Sequence, residues 1–180
     1  MKRLIIISGD LAAGKSTLAN NLSNSLNIPC FIKDNVKELA CDIIGFQNRD
    51  ENKLISKASV AMMIYSFSQL AKTGYDAILE ANFRENELKD ILDIANNYGY
   101  KTAKIMLYGD LEILYHRFLE RLPYRNPAHK SQHLDNSFSD YEKVNLDFRN
   151  YCTKDFIKID STKLNELEIL NESIKIVEDI

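Results

Sequence analysis

Residues 9–17 read Gly9-Asp10-Leu11-Ala12-Ala13-Gly14-Lys15-Ser16-Thr17, two glycines with four residues between them and then a lysine and a hydroxyl. Each residue type there has a chemical use. Gly9 and Gly14 permit backbone angles that let amide N–H groups curl around phosphate oxygens. Lys15 can reach the β and γ phosphates of a nucleoside triphosphate, and the Ser16 hydroxyl can sit on Mg²⁺. A helix beginning here would add its positive N-terminal end. All nine residues are therefore expected at a bound nucleotide, with Lys15 as the catalytic cation. A plain glycine turn would explain neither Lys15 nor Ser16.

A phosphate loop needs partners. Asp34 is a candidate general base, because transfer to a hydroxyl needs a carboxylate to orient the attacking oxygen and take its proton. Its bland alternative is a helix N-cap. Glu80 ends the run Ala77-Ile78-Leu79. An apolar strand followed by an acid places a carboxylate near Mg²⁺, so Ser16 and Glu80 are the candidate metal ligands. Asn82 and Arg84 could touch an acceptor, although Asn82 equally suits a turn. Arg117 and Arg121 are four apart on one helix face, and Arg125 lies beyond Pro123. Arg121 and Arg125, at the base and tip of a polar loop, suit closure over a triphosphate and neutralisation of developing charge. Their alternative is a solvated helix face partnered by Glu112 and Glu120. His129 and His133 have a metal-like spacing but no third ligand, and both read as solvent-facing. Asp42-Ile43-Ile44-Gly45 matches D-x-x-G but sits in a helical pattern with no N-K-x-D in the chain, a coincidence.

The elements that must carry these residues follow from periodicity and breakers. Four large aliphatics, Leu4 to Ile7, predict a strand over 2–8 that is buried on both faces. Leu18, Leu22 and Leu26 predict a helix after the loop, ended by Asn27 and Pro29. Further strands are expected at 29–33, 75–80, 102–108 and 155–160. Helices are expected from Asp34 to 42 or 44, over 50–72, 84–97, from Asp110 to Leu122, over 137–150 and 164–177. The long helix shows Leu54, Ile55, Ala58, Ala61, Met62, Ile64, Tyr65 and Leu70, and the helix at 137–150 shows Phe138, Tyr141, Val144 and Phe148. Pro123 to about Asn136 reads as a polar, mobile loop. Alternation of strands and helices predicts an α/β fold, a parallel sheet with helices on both faces. Ligands of such sheets lie outside the carboxyl ends of the strands. The phosphate loop, Asp34, Glu80 and Asp110 all fall there, which points to one active site.

Bulk properties narrow the classes. The 180 residues, 45% hydrophobic and 27% charged, suit one domain with a substantial core, spanning 1–180 with a lid at about 121–136. A net charge of −3 and no basic stripe argue against long nucleic acid as partner. Cys30, Cys41 and Cys152 fit neither a disulfide framework nor a zinc site, which suits a reduced, cytoplasmic chain. No stretch approaches a membrane span, and Met1-Lys2-Arg3 precedes too short an apolar run for a signal peptide.

The series Gly9 to Thr17, Lys33-Asp34, Ile78 to Phe83, Leu114 to Arg121 and Arg125 to His129 resembles the small-molecule kinase branch of the P-loop proteins, which includes zeta toxins, chloramphenicol phosphotransferases and polynucleotide 5′-kinases. The resemblance covers residues 1–133 by motif and the last strand by pattern. It implies a three-layer P-loop fold with sheet order 2-3-1-4-5. It also implies that Asp34 is the acceptor-side base, that Arg117 binds on the adenine face, and that Arg121 and Arg125 are lid arginines. Residues 160–162 would border the base. Relatives often carry Asp-x-x-Arg where this chain has Asp34-Asn35-Val36-Lys37, and lysine lacks the bidentate fork for an acceptor phosphate or carboxylate.

The expected activity is ATP- and Mg²⁺-dependent transfer of the γ-phosphoryl group to a hydroxyl of a small metabolite, antibiotic or nucleotide-like acceptor. A polynucleotide 5′-kinase, with an oligonucleotide 5′ end as the acceptor, and a slowly hydrolysing ATP-binding switch are the alternatives.

Overall fold

A computed structural model describes residues 2–129, 134, 137–152 and 155–180. The strands are β1 (Arg3–Gly9), β2 (Cys30–Ile32), β3 (Ala77–Glu80), β4 (Lys101–Tyr108) and β5 (Ile157–Asp160). The helices are α1 (Lys15–Leu26), α2 (Lys33–Ile44), α3 (Arg49–Thr73), α4 (Glu85–Asn97), α5 (Leu111–Arg121), α6 (Phe138–Cys152) and α7 (Glu166–Glu178). The five strands form one parallel sheet in the order β2-β3-β1-β4-β5, as the resemblance implied.

β1 is the central strand because nothing on it tolerates water: Leu4 to Ile7 are fully buried. The strand period of two then sorts the side chains between faces. Ile5 and Ile7 pack with Leu18 and Leu22 of α1, Leu114 and Phe118 of α5, and Val177 of α7. Leu4 and Ile6 pack with Met63, Phe67 and Ala71 of α3 and with Ile91 and Ala95 of α4. Both faces of the sheet are covered, and only the strand ends remain for chemistry. Among the described residues, no helix is long and apolar enough to cross a membrane.

Several expectations are corrected. β2 is only three residues long, and Lys33 already belongs to α2, whose N-cap is Ile32. Asp34 is therefore inside the helix and is not its cap. The buried face of α3 is Ile55, Ser59, Val60, Met63, Phe67 and Ala71, while Leu54, Met62 and Tyr65 are exposed. On α6, Val144 is exposed and Tyr141 and Asn145 are buried. The chain beyond α5 continues in two short 3₁₀ turns, Leu122–Tyr124 and Pro127–His129. His133 lies outside the described residues. Gly74, at φ 78°, closes α3 as expected, with its N–H on Ala71 and Leu70 carbonyls.

Candidate active site

The loop between β1 and α1 lies at the carboxyl end of the central strand. Gly9 (φ 146°) passes so close to β4 that a Cβ would collide with the Leu107 carbonyl oxygen; here only glycine fits. Gly14 (φ 88°) is the N-cap of α1, supplies no side-chain cap, and no acidic residue occupies the first turn. The first N–H groups of that helix thus lack an intrahelical partner and a carboxylate to satisfy them, which is the donor set that phosphate oxygens fit. Lys15 curls over the loop and donates to the carbonyls of Gly9 (3.1 Å) and Asp10 (2.7 Å). Removal from water pushes its pKa down, against the pull of Glu80, Asp34 and Asp10.

Ser16 and Glu80 meet, as their types suggested: the hydroxyl donates to Glu80 Oε2 at 3.0 Å. Register explains this, since Glu80 pairs with Ile7 near the end of β1. Glu80 is 5% exposed, and burial raises its pKa while Lys15 opposes the rise. A hydroxyl and one carboxylate beside a phosphate cradle form the partial oxygen set that Mg²⁺ takes when nucleotide and water complete its shell. Among the described residues no three His, Cys, Asp or Glu side chains gather about one point.

The loop separates two cavities. One, about 390 Å³, is lined by Ala12, Ala13, Gly14 and Thr17 on the loop side and by Arg117, Ser161 and Leu164 opposite. Arg117 donates to the Ser161 carbonyl at 3.2 Å, so α5 and the β5–α7 loop wall it together. The second, about 350 Å³, lies on the other side, with Lys15, Asp34, Glu80, Asn82, Arg125 and His129 among its walls. Arg121, Arg125, Ser16 and Asp34 also line an adjoining space of about 590 Å³. Arg125 lies over the Phe118 ring, 5.4 Å from its centroid. Asp34 Oδ1 is 3.3 Å from Lys33 Nζ. Burial would raise the Asp34 pKa, but Lys33, His129 and Lys15 outweigh it, and the carboxyl titrates below the ordinary range.

Other residues singled out by type and spacing have partners of their own. Asp110 caps α5, accepting from the amides of Glu112 and Ile113, and lines neither cavity. Asn82 Oδ1 accepts from the Gly9 amide at 3.0 Å, so it braces the phosphate loop. Arg84 is the exposed N-cap of α4. His129 is not solvent-facing, for its side chain is 7% exposed. Its Nε2 lies 2.9 Å from Glu38 Oε1 and its Nδ1 3.7 Å from Asp34 Oδ1. The first is a close approach without hydrogen-bond alignment. Burial lowers its pKa against the pull of Asp34 and Glu38.

Asp10 has a distant partner that the loop motif does not announce. Its side chain is fully buried. Arg149 of α6 donates to it through Nε at 2.9 and 3.1 Å and also through Nη2, and the Gly109 amide donates to it at 3.2 Å. On the same face of α6, Asn145 Oδ1 accepts from the Leu11 amide at 2.8 Å, and the Tyr141 hydroxyl donates to the Leu11 carbonyl at 2.5 Å. Residues 141, 145 and 149, one helical turn apart, hold the loop from outside. That polar four-residue spacing is the signal that the apolar pattern hides. Breaking a buried pair strands a charge, at about 3–5 kcal/mol. Arg149→Met should therefore lower Tm by about 10 °C in a calorimetric scan; a shift under about 2 °C would remove the pair from the fold's support.

A family model, Zeta toxin, matches residues 1–155. No curated protein matches this chain closely enough to count as a relative. Among solved structures, a candidate kinase from Chloroflexus aurantiacus superposes with TM-score 0.79 at 21% identity, over 97% of each chain. A gluconokinase from Sinorhizobium meliloti gives TM-score 0.65 at 12% identity, over 99% of this chain and 93% of that one. An APS kinase from Mycobacterium tuberculosis, solved with AMPPNP and APS, gives 0.62 at 15% identity, over 98% of both. At these identities the structures establish the shared kinase-like P-loop fold.

Proposed function

We propose that this chain, which belongs to the zeta toxin family, is an ATP-dependent kinase that phosphorylates a hydroxyl of a small acceptor. The observation that carries the reading is the division of space around the loop. A nucleoside fits the cavity walled by Arg117 and residues 161–164, and the triphosphate follows the loop amides past Lys15. Its γ end then opens into the second cavity, where Asp34 waits. At about 350 Å³ that cavity is the size of a metabolite site, which favours a small acceptor over an oligonucleotide.

In this reading Lys15, Arg121 and Arg125 stabilise the charge that spreads over the transferring group. Mg²⁺, held by Ser16 and Glu80, would neutralise the phosphate oxygens when bound. Asp34 orients the acceptor hydroxyl and receives its proton, and its low pKa keeps it ionised and ready near neutral pH. The segment 121–136 is the proposed lid, with arginines at its base excluding water on closure.

The experiment is a screen of hydroxyl compounds for stimulation of ATP consumption, with and without Mg²⁺. The kinase reading expects one chemical class to accelerate consumption at least tenfold, only with Mg²⁺. Consumption indifferent to every acceptor would instead favour a slow hydrolytic switch.

A further inference from the structure

We propose that His129 is a positioning residue of the transfer step, relaying the acceptor's proton from Asp34 to Glu38; this rests on reading Asp34 as the acceptor-side base. Asp34 and Glu38 are four apart on α2, so their carboxylates leave the same helix face. The imidazole spans them, with Nδ1 3.7 Å from Asp34 Oδ1 and Nε2 2.9 Å from Glu38 Oε1. It also spans two spaces. Asp34 and His129 line both the acceptor cavity and the adjoining space, whereas Glu38 lines the second and not the first.

The ring is held in place by its neighbours. The Ala128 carbonyl accepts from Lys37 Nζ at 2.6 Å and from Asn52 Nδ2 at 3.0 Å, which ties the 127–129 turn to α2 and α3. The His129 Nε2 is shielded from water and makes no aligned hydrogen bond among the described residues. A buried polar atom left so is unfavourable and needs a reason. Carboxylates only accept hydrogen bonds, and a neutral imidazole has one N–H to give. Nε2–H belongs with Glu38, the nearer oxygen, and Nδ1 then turns a lone pair toward Asp34. That mismatch ends when Asp34 takes up a proton.

The path balances. As the acceptor oxygen bonds to the γ phosphorus and the bond to ADP breaks, the acceptor O–H proton passes to Asp34. Burial raises the Asp34 pKa, but Lys33, His129 and Lys15 outweigh it, so the carboxyl does not retain the proton. It moves to Nδ1, and Nε2 gives its own proton to Glu38, which is 37% exposed and returns it to water. Such contacts tighten when substrate binds. The ring stays neutral throughout, and exchange with water restores its first tautomer after product leaves. Neutrality is favoured where it sits. Burial lowers the imidazole pKa, and Lys37 and Arg125 act with it against Asp34 and Glu38. Arg49 and Lys53 of α3, on the shared cavity wall, carry the same sign as Lys37.

Two measurements on the whole protein test the relay. NMR of histidine labelled in its ring nitrogens, with His129 assigned by its response to Glu38→Gln, should show a neutral ring protonated on Nε2 near neutral pH. A charged ring, or a proton on Nδ1, overturns the relay even if every His129 variant fails to fold. Transfer is then followed between about pH 5 and 8 with Mg-ATP and the compound selected by the acceptor screen. A protonated ring has no lone pair to receive the proton, so wild-type kcat should fall as pH drops below about 6.5. His129→Gln should lack that acid limb, with kcat about tenfold lower or more near neutral pH and KM and nucleotide affinity within about threefold. Imidazole in the buffer should restore His129→Ala. Glu38→Gln should lower kcat alone and add nothing to His129→Gln, because one path is cut only once. An acid limb that survives in His129→Gln, no imidazole rescue, or losses that add overturns the relay and leaves the kinase reading standing. If no compound stimulates ATP consumption, that reading falls and the relay falls with it.

Discussion

Lys15→Ala is expected to lower turnover about 10³-fold and to weaken Mg-nucleotide binding about tenfold to a hundredfold. The first figure is the loss of one preorganised donor at the developing charge, and a full cation belongs at its upper end. The second is the loss of charge-assisted hydrogen bonds to phosphate. The fold should hardly notice. Among the described residues, Lys15 donates only to the Gly9 and Asp10 carbonyls, and its charge is disfavoured by removal from water. Steady-state kinetics and a nucleotide titration on one preparation check both numbers. Wild-type affinity and rate in the variant would remove the phosphate loop from the chemistry.

Asp34→Asn separates base from nucleotide site. The substitution keeps size and hydrogen-bonding shape but cannot take a proton, so kcat should fall by about 10²–10⁴. Mg-nucleotide affinity should stay within about threefold, because Asp34 lines the cavity across the loop from the one walled by Arg117. The pH dependence follows in sign. Burial works to raise the carboxyl's pKa, but Lys33 and His129 overcome it and hold the group below the ordinary range. Its ionised form therefore persists as pH falls through about 4, the usual carboxylate value. The rate should show no Asp34-dependent loss until more acid conditions. A variant with unchanged kcat would leave Asp34 outside the mechanism.

Much of the fold is legible in the chain itself. Leu4 to Ile7 announce the central strand because only a doubly covered strand tolerates four consecutive aliphatics. Glu80 stands out because an acid ending such a strand needs a reason. The departures have physical causes. On α3, apolar residues fall on several faces, so periodicity does not select the buried one, which has Ser59 at its middle. The loop motif is silent on the Asp10 side chain, whose partner Arg149 lies 139 residues away, and nothing local pairs them. Polarity predicts an exposed His129. The turn instead buries Ala128 and docks its carbonyl on Lys37 and Asn52, carrying the imidazole in with it. Long-range polar pairs are chosen by the fold, and no window of sequence contains them.

The central claim is transfer, and it can be watched directly. ATP labelled in its γ phosphate is mixed with excess protein, Mg²⁺ and the acceptor class that stimulates consumption, and the label is followed through one turnover. The kinase reading predicts label in a phosphate ester of the acceptor, with less than about a tenth released as inorganic phosphate, since closure of the lid arginines excludes water. Label found only as inorganic phosphate, with the acceptor recovered unchanged, would contradict it.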